Sequence, residues 1–189
     1  MSTNFISILE KNLSSKERIQ HSIRVSDTAV ALAKKYNFDE EKAYTAGILH
    51  DIAKDIALER ALIIAREHNF PLSESEILNK KLLHAPIGAL IAENDIGISN
   101  VEICEAIRWH TTGKANMNTL EKIIYIADMI EPERKYKELA ELKELAFQDL
   151  DKAMIFAVKY SLNKLIESGR NIDHNSIECY NYLINPANN

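Results

Sequence analysis

Apolar residues recur along the chain at helical spacing, and no stretch alternates apolar and polar positions as a half-buried strand would. Ser14 and Glu17 read as a capping box that opens a helix through "QHSIRVSDTAVALAKKY", with Ile19, Ile23, Val30 and Ala33 on one stripe. Asp39 caps a second helix, in which Ala43, Ala46, Gly47 and His50 follow the i, i+3, i+4, i+7 pattern. "ALERALIIAREH" forms a third that stops near Asn69 and Pro71, followed by a short helix in "PLSESEILNKK". "HAPIGALIAEN" forms another, with Pro86 in its first turn. Ser99 with Glu102 caps "VEICEAIRWH", which Thr111, Thr112 and Gly113 end, and Asn118 with Glu121 caps "LEKIIYIADMI", which Pro132 ends. "YKELAELKELA", "LDKAMIFAVKYSLNKLIES" and "NSIECYNYLI" supply the remaining helices, and both chain ends, "PANN" especially, are expected to fray.

The expectation is an all-α bundle in a single domain over residues 1–189, with its core in 16–170 and C-terminal helices and a tail in 171–189. Five glycines and four prolines suit long helices with short connections. The opening "MSTNFISILE" lacks the basic region and apolar run of a secretory leader, and no window has the ~18 uncharged apolar residues of a membrane span. A cytoplasmic protein with no membrane partner is therefore expected. Cys104 and Cys179 have no metal-like spacing and read as reduced thiols. A net charge of −5 argues against a nucleic-acid partner, yet it permits a local basic site for a phosphorylated ligand. The amphipathic segment "AMIFAVKYSLNKLI" could pack inside or pair two chains, so a homodimer stays open.

Candidate chemistry begins with six histidines. His68 in "AREHN" and His174 in "NIDHN" read as surface residues, whereas His21, His50, His84 and His110 sit within or beside apolar helical patterns. Taken singly, each of these four is more often a satisfied core histidine than a ligand. Their company changes the reading. Asp128 is flanked by Ile126, Ala127, Met129 and Ile130, and a buried carboxylate in such a place calls for a cation. His50 and Asp51 are adjacent, so on a helix they point about 100° apart and line a junction instead of chelating as an i, i+4 pair. His21, His84, His110 and Asp128 each come from a different expected helix, which is how helical bundles build metal centres.

The order His21, His50-Asp51, Asp128 resembles the signature of the HD-domain metal-dependent phosphohydrolases, and the intervening His84 and His110 resemble its binuclear branch. More narrowly, "HSIRV", "HDIAK", "HAPIGA", "AIRWHTTG" and "YIADMIEPER" are similar to the bacterial YqeK family, over roughly residues 16–170. That resemblance implies symmetrical hydrolysis of dinucleoside tetraphosphates, diadenosine tetraphosphate and water giving two ADP. It implies two divalent or trivalent metal ions: one held by His21, His50, Asp51 and Asp128, the other by His84 and His110, with Asp51 bridging. The family suggests iron, although imidazole and carboxylate also suit Mn, Co, Ni or Zn. Two such ions about 3.5–4 Å apart can activate water, and positive charge must surround the polyphosphate. Asp51 and Lys54 are the catalytic candidates. Arg24, Lys54, His84, Thr111, Thr112, Gly113 and Arg134 are the substrate-binding ones, with Lys114 the better fit to a solvated charge. Two other readings stand beside this one. The first is an HD enzyme acting on another nucleotide phosphoester, such as a nucleoside monophosphate or cyclic dinucleotide, though the "GYP" segment usual in enzymes cleaving cyclic dinucleotides is absent. The second is a non-catalytic helical sensor.

Overall fold

The computed structural model describes residues 4–185, and every regular element among them is a helix. In chain order these are α1 (Phe5–Asn12), α2 (Lys16–Lys35), α3 (Glu40–Leu49), α4 (Leu58–Glu67), α5 (Glu74–Leu78) and α6 (Lys80–Asn94). They continue as α7 (Val101–Trp109), α8 (Thr119–Ile130), α9 (Leu139–Gln148), α10 (Leu150–Glu167) and α11 (His174–Ile184). The fold is all-α, as the periodicity predicts. No helix among the described residues is long and apolar enough to cross a membrane. The "PANN" tail lies outside the described residues.

α3 is the centre of the bundle. Ala43, Thr45, Ala46, Gly47, Ile48 and Leu49 are all buried, because α2, α7 and α8 cover it on several sides. A helix enclosed in this way needs small residues where its neighbours come close. Gly47 is one of them: a Cβ there would stand 2.7 Å from the Ser26 Cα of α2. Leu32 of α2, Ile107 of α7 and Ile123, Ile124 and Ile126 of α8 close the core around it.

Several boundaries depart from the sequence reading. The start of the chain is not frayed from Phe5 onward: α1 is capped by Asn4 and buries Leu9. Ser15 rather than Ser14 caps α2, accepting from the Arg18 amide at 3.2 Å, because Asp55 takes both the amide and the hydroxyl of Ser14. Asn100 rather than Ser99 caps α7, and Glu102 reaches out to Lys42 instead of closing a box. α6 starts at Lys80, so Pro86 sits in its second turn and removes the N–H that would bond the Leu82 carbonyl. The box of Asn118 and Glu121 forms as expected. α3 ends at Leu49, so His50 is its C-cap and Asp51 begins a run of turns in which the Lys54 amide donates to the Asp51 carbonyl at 2.9 Å.

Candidate metal centre

The ends of two helices meet at one place. His50 caps the C-terminus of α3 and His110 that of α7. Helix C-termini carry partial negative charge, which favours a cation beside them. His21 reaches the same place from α2, His84 from α6 and Asp128 from the last turn of α8.

Asp51 joins these groups. Its Oδ2 lies 3.6 Å from His50 Nε2 and 3.8 Å from His21 Nε2. Its Oδ1 lies 2.9 Å from His84 Nε2 and 3.4 Å from His110 Nε2. Asp128 Oδ1 closes the first set, 3.1 Å from His21 Nε2 and 3.9 Å from His50 Nε2. Two triads result, His21–His50–Asp51 and Asp51–His84–His110, and within each the candidate ligand atoms lie within 4.8 Å of one another.

The wiring of the rings suits metal binding. His50 Nδ1 is 2.7 Å from the Gly47 carbonyl and His110 Nδ1 is 2.8 Å from the Ile107 carbonyl. A carbonyl only accepts, so both Nδ1 atoms carry the proton and both Nε2 lone pairs point into the cluster. His50 Nε2 is buried and has no hydrogen-bond partner. A buried acceptor left without a donor is costly, and a cation satisfies it. Lys54 Nζ stands 3.0 Å from both Asp51 Oδ1 and His84 Nε2, which marks the second triad as a place that accepts positive charge.

Charge states agree with this geometry. Burial pushes the His50 and His84 imidazoles down to about 4, so both are neutral near pH 7. Burial opposes ionisation of Asp51, but His50 and the bonds from His110 and His84 outweigh it and hold the carboxyl well below the usual range. Asp128 is likewise buried and still depressed, through its bond to His21 and the nearby His50 and Arg134. His21 alone rises, because Asp128 outweighs the burial. Neutral imidazoles facing ionised carboxylates are the ligand form that metals require.

A cleft of about 750 Å³ opens onto the His21 and Asp51 side, lined by Arg18, Arg24, Lys54, Arg134 and Lys135 among others. Arg24 and Lys54 thus stand where the sequence reading puts them. Arg134 bonds Asp128 through its carboxylate and, at 2.8 Å, through its carbonyl. Thr111 lines a second cleft of about 440 Å³ that reaches the centre at His110 and Asp128.

Thr112 and Gly113 are not brought to the site as donors. The Thr112 hydroxyl donates to the Gly113 carbonyl at 3.0 Å, and the Gly113 amide donates to the Trp109 carbonyl at 2.9 Å. Gly113 has φ +66° and is packed so closely that a Cβ would lie 2.7 Å from Cys179 Sγ, so this is a fixed turn, not a flexible one. Lys114 pairs with Glu105 and Glu121, 2.9 Å each. His68 and His174 are exposed, although His174 opens α11 and does not sit in a loop. Cys104 and Cys179 are free thiols.

Sequence reasoning missed Glu131. It is buried, accepts from Arg24 Nε at 2.8 Å and stands 3.3 Å from His21 Nδ1, so it orients a metal-facing ring and a cleft arginine together. The signal was a carboxylate just past the helix that carries Asp128, in "IEPER". Tyr136 and Tyr160, stacked with centroids 4.9 Å apart in the wall of both clefts, were missed as well.

Comparison with known proteins agrees with this architecture. The HD domain model matches residues 18–133. A protein of Halalkalibacterium halodurans named "Bis(5'-nucleosyl)-tetraphosphatase, symmetrical" is 38% identical over 171 residues, 89% of this chain and 90% of that protein. A Bacillus subtilis protein of the same name is 34% identical over 169 residues, again 89% of this chain and 90% of its relative. A crystal structure of a predicted HD superfamily hydrolase involved in NAD metabolism, from Clostridium acetobutylicum, is 43% identical, superposes with TM-score 0.91 and covers 95% of both chains. The chain belongs to the HD-domain family, in its YqeK branch.

Proposed function

We infer that this chain is a metal-dependent hydrolase that cleaves dinucleoside tetraphosphates symmetrically, turning diadenosine tetraphosphate and water into two ADP. The relatives named as symmetrical tetraphosphatases support the substrate. The observation that carries the chemistry is Asp51, which turns one oxygen to each pair of histidines. In this reading His21, His50, Asp51 and Asp128 hold one metal ion, and Asp51, His84 and His110 hold the other. Iron is our choice of metal. Such a pair of ions supplies Lewis-acid stabilisation of phosphoryl charge and a water acidified to near-neutral pH.

The chain's own residues do the rest. Lys54 leaves Asp51 and His84 when metal binds there and turns its ammonium to the phosphates of the cleft. Arg24 is held by Glu131 at 2.8 Å and presents the remainder of its guanidinium to the cleft. Arg134 is fixed on Asp128 beside the place where phosphoryl charge develops, and such preorganised donors stabilise it at little reorganisation cost. Thr111 adds a hydroxyl from the second cleft. The test is to incubate metal-loaded protein with diadenosine tetraphosphate and resolve the products by chromatography. Two ADP are expected. ATP with AMP, or no turnover, overturns the reading.

A further inference from the structure

We propose that the cleft of about 440 Å³ lined from α6, α8 and α10 is a second nucleotide site, which holds one ADP half of the substrate while the charged cleft holds the other. The proposal rests on the reading of the site as a dinucleoside tetraphosphate hydrolase. The charged cleft reaches the centre at His21, Asp51 and Lys54, and the second reaches it at His110 and Asp128. Arg134, Tyr136 and Tyr160 line both, so they form the wall between them.

The two clefts differ in chemistry. The first mixes arginines and lysines with Glu17, Glu131 and Glu133. The second has Asp128 as the sole carboxylate of its lining, and Asp128 faces the metal centre. Its walls offer Leu82, Met129 and Leu165 with the Tyr136 and Tyr160 rings, an apolar and aromatic surface of the kind on which a base stacks. At its rim Lys81 and Arg170 have no ion-pair partner among the described residues. Unpaired cations beside an aromatic wall, continuous with a phosphoryl-transfer centre, match a nucleoside diphosphate.

Symmetrical cleavage gives the arrangement a purpose. The bond broken is the middle one of the four-phosphate chain, so two equal halves must extend from the metal centre, each with a diphosphate and a nucleoside. One cleft accommodates one half.

Titration calorimetry of the metal-loaded protein with ADP tests this. The wild-type chain is expected to bind two ADP. The double substitution Lys81→Ser, Arg170→Ser is expected to bind one and to raise KM for diadenosine tetraphosphate about tenfold, the loss of one charge-assisted contact. The double substitution Lys11→Ser, Lys35→Ser removes two exposed lysines outside both clefts and is expected to keep two ADP and the wild-type KM. One ADP on the wild-type chain, or a Lys81/Arg170 variant that matches the Lys11/Lys35 control, overturns the second site. Two ADP on a chain that does not hydrolyse diadenosine tetraphosphate keeps the second site and rejects the hydrolase reading instead.

Discussion

Replacing Gly47 with alanine is expected to loosen the fold and the metal centre together. The new Cβ would stand 2.7 Å from the Ser26 Cα and 3.2 Å from its amide nitrogen. Both atoms are backbone of α2, so no rotamer change relieves the clash. Reaching ordinary contact near 3.4 Å requires α2 and α3 to part by about 0.7 Å. Overpacking of this kind costs about 1–3 kcal/mol, toward the upper end where backbone must move. Alanine recovers about 1 kcal/mol of helix propensity over glycine, which leaves a net loss of about 1–2 kcal/mol. For a chain of this length that lowers Tm by roughly 2–8 °C. The displacement also reaches the site, because α2 carries His21 and α3 ends at His50, and His21 Nε2 must keep its 3.8 Å distance from Asp51 Oδ2. Metal affinity should fall with Tm. Circular dichroism melts of metal-free protein, paired with a metal titration, measure both. A variant melting at or above the wild-type temperature would refute the close-approach argument.

Glu131→Gln removes the charge shared by His21 and Arg24, and a loss of about 10–100-fold in metal affinity or turnover is expected with helicity retained; wild-type kinetics and metal content would contradict it. Lys54→Met should raise KM or lower kcat about tenfold while the metals stay bound, read from steady-state kinetics beside elemental analysis. In metal-free protein, burial holds His50 and His84 near 4 whereas unfolded imidazoles bind protons below about 6.5. The unfolded state therefore binds more protons between those values, and stability should fall as pH drops from 6.5 to 4. His21 is raised instead, so its contribution changes above that window. A flat Tm between pH 6.5 and 4 is incompatible with neutral buried imidazoles.

Much of the architecture was legible because its cues are local. Asn118 and Glu121 lie three residues apart and cap α8 as read, and Asp39 caps α3. Reading Ser14 as a cap failed for a tertiary reason: Asp55, 41 residues on, takes its hydroxyl at 2.8 Å and leaves the cap to Ser15. The ligand set His21, His50, Asp51, His84, His110 and Asp128 was legible as polar groups embedded in apolar helices. What their spacing alone could not reveal is that Asp51 divides its two oxygens between histidine pairs, since that depends on α3 ending at Leu49. Thr112 and Gly113 looked available because they follow His110, but the turn uses their donors. Glu131 reads as an ordinary charge before Pro132, and its role exists only because His21, 110 residues away, packs beside it. The wall of Tyr136 and Tyr160 likewise depends on chain segments with no local relation.

The central claim is that Asp51 joins two metal ions into one hydrolytic centre. Elemental analysis of wild-type and Asp51→Ala protein, with turnover of diadenosine tetraphosphate measured on the same samples, tests it most directly. The wild-type chain should hold about two ions and the variant fewer than one, with turnover abolished and helicity unchanged. An Asp51→Ala chain that keeps both ions, or that hydrolyses the substrate at the wild-type rate, would contradict it.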